Sequence, residues 1–232
     1  MVLAQIKHEG GIDYQVPHDT SGSTCTMLMV AVEMGVSQIV RLLLANGADP
    51  NISGPNVTTL MVAIYSINRL PIELLLNGGA DPNIIRGRHG PALVAALRCG
   101  GIGMVRLLLD KGADINIVGG EYGTALIAAV FYRKKEIVQL LLEKGADVKI
   151  VGGKYNNNAL ATAVYGAAIN IRSSKNIKEF DLSKLLWIVT SLLEAGEDPN
   201  TSYSVEWGVE WGKSYVTRYS VDAVRYTYGS LR

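Results

Sequence analysis

Glu33, Tyr65, Arg98, Tyr132 and Tyr165 stand at the ends of short apolar segments, and Arg86, Arg88, His89, Glu121, Tyr122, Lys154 and Tyr155 stand in glycine-bearing turns. As a set they offer carboxylates, guanidinium groups and phenols, which suit two kinds of chemistry. Tyr and Arg on mobile glycine-rich tips are the residue types that dominate protein-recognition surfaces. The same donors, acids and bases, converging in a groove, could instead bind a small molecule and activate it by acid–base transfer without a cofactor. Neither reading assigns any one residue a catalytic role.

Other chemistries find no pattern in the sequence. His8, His18 and His89 are scattered, with no i, i+4 pair and no metal-ligand spacing, so no metal site is expected. No glycine-rich loop leads into a lysine in the phosphate-binding pattern. Cys25 and Cys99 lack a predictable histidine partner and read as packed thiols rather than nucleophiles. A net charge of +1 without a basic stripe gives no reason to expect nucleic acid. No apolar run approaches the roughly 18 residues of a membrane span. Met1-Val2-Leu3-Ala4 lacks the basic-then-apolar layout of a secretory signal, and two lone cysteines are what a reducing compartment tolerates. An intracellular protein of cytoplasm or nucleus is expected.

The elements that must position these side chains follow from a phrase that recurs. Gly47-Ala48-Asp49-Pro50-Asn51 returns as Gly79-Ala80-Asp81-Pro82-Asn83, Gly112-Ala113-Asp114-Ile115-Asn116, Gly145-Ala146-Asp147-Val148-Lys149 and Gly196-Glu197-Asp198-Pro199-Asn200. The aspartates lie 32, 33, 33 and then 51 residues apart, and a constant period near 33 marks an array of stacked units. Ile39-Val40-Arg41-Leu42-Leu43-Leu44, Met104 to Leu109 and Ile137 to Leu142 precede three of the phrases, with apolar residues at helical spacing. The glycine after each predicts a left-handed helix stop, and Asp-Pro-Asn predicts a turn whose aspartates are structural. Seventeen residues before each of the first four phrase alanines sits another alanine, Ala31, Ala63, Ala96 and Ala129, within a shorter apolar segment. Thr26, Thr58 and Thr124 are suited to cap those shorter helices.

Together these motifs resemble the ankyrin-repeat family. Its Thr-Pro-Leu-His-x-Ala signature is met by Thr26, Leu28 and Ala31, by Thr58, Leu60 and Ala63, and by Thr124, Leu126 and Ala129, over roughly residues 20–200. The Gly119-Gly120-Glu121-Tyr122-Gly123 run, echoed at Gly152-Gly153-Lys154-Tyr155, resembles ankyrin arrays common in filamentous fungi. The signature Pro is replaced by Met27, Thr59, Ala92 and Ala125, and the signature His by Met29, Met61, Val94 and Ile127. Apolar packing should therefore stand where the family's side-chain hydrogen bonds between adjacent repeats would be. The resemblance implies an all-α ankyrin-repeat solenoid of about five helix–turn–helix repeats, with hairpin-like turns and degenerate caps at both ends. It places the hairpin tips and short helices, with the candidate residues above, on a concave groove.

Repeats are expected at 22–50, 51–83, 84–116, 117–149 and 150–200, after an N-terminal half-repeat over 1–21 in which Gly10-Gly11-Ile12-Asp13 echoes the phrase. Pro71 falls where a longer helix begins, a position proline tolerates. The fifth unit is 18 residues too long; an insertion near 166–181 carries Arg172, Lys175 and Lys178 and reads as a surface loop or a basic lip on the groove. Its longer helix should resume at Asp181 as N-cap. Trp207, Trp211, Tyr215, Tyr219, Tyr226 and Tyr228 give 201–232 the character of an aromatic C-terminal cap or a partner-binding patch, with Gly208 and Gly212 arguing for strands. A protein-interaction module needs no catalytic residue and is the leading expectation. A small-molecule binder or cofactor-independent enzyme is the alternative, and a piece of a larger receptor-like array is the third, against which the cap-like ends argue.

Overall fold

The computed structural model describes residues 11–17, 24–54, 56–99, 101–154, 157–165, 182–198, 203–206 and 216–219. Two compact units divide the chain, Met1–Asp114 and Ile115–Arg232.

The first unit opens with strands β1 (Gln15–Pro17) and β2 (Thr24–Thr26), paired antiparallel with Val16 opposite Cys25. Helix pairs follow: α1 (Met27–Glu33) with α2 (Ser37–Ala45), α3 (Thr59–Tyr65) with α4 (Arg69–Asn77), and α5 (Ala92–Cys99) with α6 (Ile102–Asp110). The short helices start where their sequences demand. Thr26 Oγ1 accepts from the Met29 amide at 3.2 Å and Thr58 Oγ1 from the Met61 amide at 3.1 Å, each satisfying an amide the helix leaves open. Pro71 is the third residue of α4, still in the first turn, where its missing amide has no intrahelical partner to lose.

The second unit repeats the plan with α7 (Ala125–Phe131), capped by Thr124, and α8 (Lys135–Glu143). A helical stretch at 159–165 begins at Ala159, as expected, and α9 (Leu182–Glu194) supplies the longer partner. Lys135 Nζ stands 4.6 Å from the centre of the Trp187 ring, a cation–π contact between α8 and α9. Strands β3 (Tyr203–Glu206) and β4 (Val216–Tyr219) pair antiparallel, so the chain is mostly helical with a short hairpin in each unit. The proposed Asp181 cap, the 166–181 insertion, Val2 to Lys7, and the aromatic side chains of the tail lie outside the described residues.

Each helix pair buries the same positions. Leu28, Leu60, Leu93, Leu126 and Leu160 are all buried, as are Ala31, Ala63, Ala96, Ala129 and Ala163, whose small side chains admit a close helical neighbour. Each longer helix contributes an apolar pair one turn apart, such as Ile72 with Leu75 and Val138 with Leu141. The phrase glycines then stop the helices with φ between +86° and +97°, and the next amide reaches back to the helix, as Ala80 N does to Leu75 O at 2.9 Å. Between short and longer helix the chain also turns left-handed. Gly35 does this at φ +70°, but Ile67 and Arg133 do it at +53°, a conformation a β-branched residue rarely adopts.

Met29, Met61, Val94 and Ile127 are buried, so apolar packing does occupy the signature histidine positions. Side-chain bonds between successive repeats nevertheless exist, and the phrase asparagines make them. Asn51 donates through Nδ2 to Gly79 O at 3.1 Å and accepts at Oδ1 from the Asp81 amide at 2.8 Å; Asn83 does the same to Gly112 O and the Asp114 amide. Asp13 serves the Asp49 amide, and within the second unit Asn116 serves the Asp147 amide. The aspartates act as turn formers: Asp49 Oδ1 accepts from the Asn51 amide and Asp81 Oδ1 from the Asn83 amide, both at 2.8 Å.

Candidate functional site

The hairpin tips close on one bridge each: Ser53 with Thr58, Arg86 with Gly90, Gly119 with Gly123, and Gly152 with Asn157. These tips and the adjacent short-helix ends carry the candidate residues, and within each unit some of them lie close together.

In the first unit, Tyr65 ends α3 and is half-buried. Burial pushes its hydroxyl above the ordinary tyrosine range, while the nearby Arg98 and Arg88 guanidinium groups pull it back. Tyr65, Arg88 and Arg98 are thereby brought together, with Cys99 beside them. Both arginines are exposed, as are Arg86 on the same tip and Glu33 at the end of α1. The tip itself is seated by Gly87, where a Cβ would come within 2.8 Å of Asn56 O. The side chain of His89 and all of Tyr155 lie outside the described residues.

The second unit holds an aromatic cluster and a cavity. Tyr122 on its tip meets Phe131 with ring centres 5.0 Å apart and Tyr132 at 5.3 Å, while Phe131 and Tyr132 meet edge-on at 5.4 Å. The Tyr132 hydroxyl donates to the Tyr122 hydroxyl at 2.8 Å, fixing both rings. Next to them lies a cavity of about 90 Å³ lined by Glu121, Tyr122, Phe131, Asn157, Thr162 and Tyr165, with Ile127 and Gly152 completing its wall. Asn157 is only 4% exposed, and among the described residues its Oδ1 has no hydrogen-bond partner.

Backbone packing of two tips builds this wall. A Cβ on Gly123 would stand 2.6 Å from Gly152 C and Gly153 N, and one on Gly153 would stand 2.6 Å from Tyr122 C. The Lys154 amide donates to Glu121 O at 2.7 Å across the same contact. Lys154 itself is exposed.

Sequence reasoning placed Glu121, Tyr122, Tyr132 and Tyr165 in this region and missed Phe131, Asn157 and Thr162. Phe131 directly precedes Tyr132 at the same helix end, and its 48% exposure is high for a phenylalanine. Asn157 stands in an Asn-Asn-Asn run at 156–158 where other repeats carry a threonine cap, a departure visible in the sequence.

Sequence reasoning also missed Glu197. The first four phrases have alanine at this position, whereas the fifth buries a carboxylate, 5% exposed. Asn158 replaces the usual threonine cap: its Oδ1 accepts from the Ala161 amide at 2.8 Å, and its Nδ2 donates to Glu197 Oε1. Burial raises Glu197 from near 4.5 to about 7; Asp147 and Asp198 add to the rise, and Lys149 opposes it. Lys149 stands where the first three phrases have asparagine, and its ammonium is near enough to Glu197 to oppose that rise. Cys25 and Cys99 are not joined in a disulfide, and among the described residues no three His, Cys, Asp or Glu side chains gather to hold a metal. Among them also, no helix is long and apolar enough to cross a membrane.

A family model described as ankyrin repeats in three copies matches in overlapping registers at residues 1–86, 28–119, 60–152 and 93–173. Among solved structures the chain is similar to the ankyrin repeat domain of Bcl-3, described as a unique member of the IkappaB protein family. That match has 25% identity and a TM-score of 0.66, and covers 87% of this chain and 82% of the other. No curated protein matches the sequence. Successive registers are shifted by about one repeat, the same spacing at which the buried Leu and Ala positions and the glycine stops recur in the structure, and the chain belongs to the ankyrin-repeat family.

Proposed function

We propose that this protein is an interaction module that binds another protein through its hairpin tips and short-helix ends. Ankyrin-repeat domains generally mediate protein–protein interaction. The observation that carries the reading here is the Tyr122–Phe131–Tyr132 cluster, held by ring packing and a hydroxyl bond yet presenting Phe131 to solvent. Rigid aromatic side chains cost little entropy to immobilise and anchor interfaces. Tyr65 with Arg88 and Arg98 offers the other unit's counterpart, of the residue types enriched at hot spots. The alternative, a small-molecule binder or cofactor-independent enzyme, draws on the cavity beside Glu121. Its volume of about 90 Å³ falls short of the roughly 300–1,000 Å³ of ligand pockets and suits one inserted side chain better than a whole metabolite. Two cysteines not joined in a disulfide fit the expected intracellular setting.

The test has two stages. Cross-linked capture from a lysate names candidate partners, and the purified pair is then titrated with wild type and with Arg88→Ala, Arg98→Ala, Tyr122→Ala together. Binary binding should weaken by roughly thirtyfold or more, the scale of a lost hot spot. Unchanged affinity in the variant would remove these residues from the interface. A retained and chemically altered metabolite, with no protein bound, would overturn the reading in favour of the enzyme.

A further inference from the structure

We infer that the cavity of the second unit receives the cationic end of a lysine or arginine side chain projecting from the partner protein. This rests on the protein-binding reading above and adds the chemistry of one contact.

Three features of the cavity select the occupant. The first is the buried Oδ1 of Asn157, which lacks a donor among the described residues. Leaving a buried acceptor unsatisfied is costly, so an occupant that brings an N–H or O–H recovers energy that an apolar group would not. The second is aromatic: Tyr122, Phe131 and Tyr165 line the space, and ring faces attract cations. The third is Glu121, an acidic residue of the lining. A quaternary ammonium satisfies the rings and the carboxylate but has no hydrogen to give Asn157. A neutral amide satisfies Asn157 but lacks the charge that strengthens contacts with an acid and with ring faces. An ammonium or guanidinium group satisfies all three. The volume agrees: at roughly 10–15 Å³ per water on this measure, about 90 Å³ holds the end of a single side chain.

The cation could arrive on a chain or as a free amine, and the experiment separates them. Acetylated, amidated peptides Gly-Gly-Arg-Gly-Gly and Gly-Gly-Lys-Gly-Gly would be titrated into the intact chain. The Gln and trimethyl-lysine analogues, n-butylammonium and n-butylguanidinium would be run in parallel. Binding would be followed by methyl and side-chain amide NMR shifts of Ile127 and Asn157. The Arg or Lys peptide is expected to bind at about millimolar strength, about fivefold or more tighter than the Gln and trimethyl-lysine peptides and tighter than the free cations. Glu121→Gln, at a half-buried position, should weaken that peptide about fivefold, while Asn157→Asp should tighten it. Equal binding of the neutral or quaternary peptide, free cations binding as well as the peptides, insensitivity to both variants, or no shifts at Ile127 and Asn157 would overturn the inference. The capture experiment above does not depend on these peptides, so a failure here with capture intact sinks only the cation assignment.

Discussion

Gly123→Ala is expected to destabilise the second unit by about 2–4 kcal/mol, whereas Gly145→Ala costs only about 1–2 kcal/mol. The two glycines have nearly the same positive φ, +82° and +86°. An alanine pays the left-handed penalty at either one. The difference is in what surrounds them. A Cβ at Gly145 meets nothing within 4 Å, but one at Gly123 meets Gly152 C and Gly153 N at 2.6 Å. Those are backbone atoms of the neighbouring tip and cannot rotate away. The tips must part, taking with them the Lys154 N to Glu121 O bond and the wall of the cavity. Repeat arrays unfold unit by unit, so the measurement should report locally. Native-state hydrogen exchange of α7 and α8 serves, and equal losses for the two variants would refute the backbone-contact account.

The second large effect is a pH dependence centred on Glu197. Its folded value of about 7 lies above its ordinary value of 4.5, so the folded state holds a proton that the unfolded state releases. Stability from this group is therefore fully present below about pH 4.5 and is lost as the pH rises through about 7. The loss should be about 1–3 kcal/mol, taking roughly 1.4 kcal/mol per unit as an upper scale. Glu197→Gln keeps an acceptor for the Asn158 amide and removes the titration. The wild-type second unit should weaken between pH 5 and about pH 7.5 as followed by exchange protection of α9, and the Gln variant should stay flat over that range. A wild type that gains protection as pH rises, or a Gln variant with the same slope, would contradict this burial-driven account.

These two sites also show how far the sequence could be read. Leu28, Ala31 and Gly47 state the local rules of helix face, close approach and helix stop, and their recurrence every 33 residues makes them legible. The buried leucines and alanines and the left-handed phrase glycines of the structure follow directly. The asparagine bridges were not legible in the same way. Asn51 reads as a turn residue from its neighbours, but its partners Gly79 and Asp81 are about one repeat away and only folding brings them near. Ile67 and Arg133 gave no sign of left-handed backbone, because their types disfavour it and the surrounding helices impose it. For the candidate site, residue type found Glu121, Tyr122, Tyr132 and Tyr165, since aromatic and charged tips stand out against alanine and leucine. Asn157 and Thr162 look like ordinary turn and helix residues until the structure shows which cavity they line. Glu197 was visible as a departure from alanine, yet its importance depends on burial, which a phrase in a turn does not declare.

The central claim is that a partner lies on the tips and short-helix ends, and hydrogen exchange of the chain with its captured partner tests this most directly. The account predicts new protection at residues 86–90 and 119–123, at 152–154, and at the ends of α3, α5 and α7, with the longer helices α2, α4, α6 and α8 unchanged. Protection confined to those longer helices, with the tips exchanging as freely as before, would put the partner on another face and contradict it.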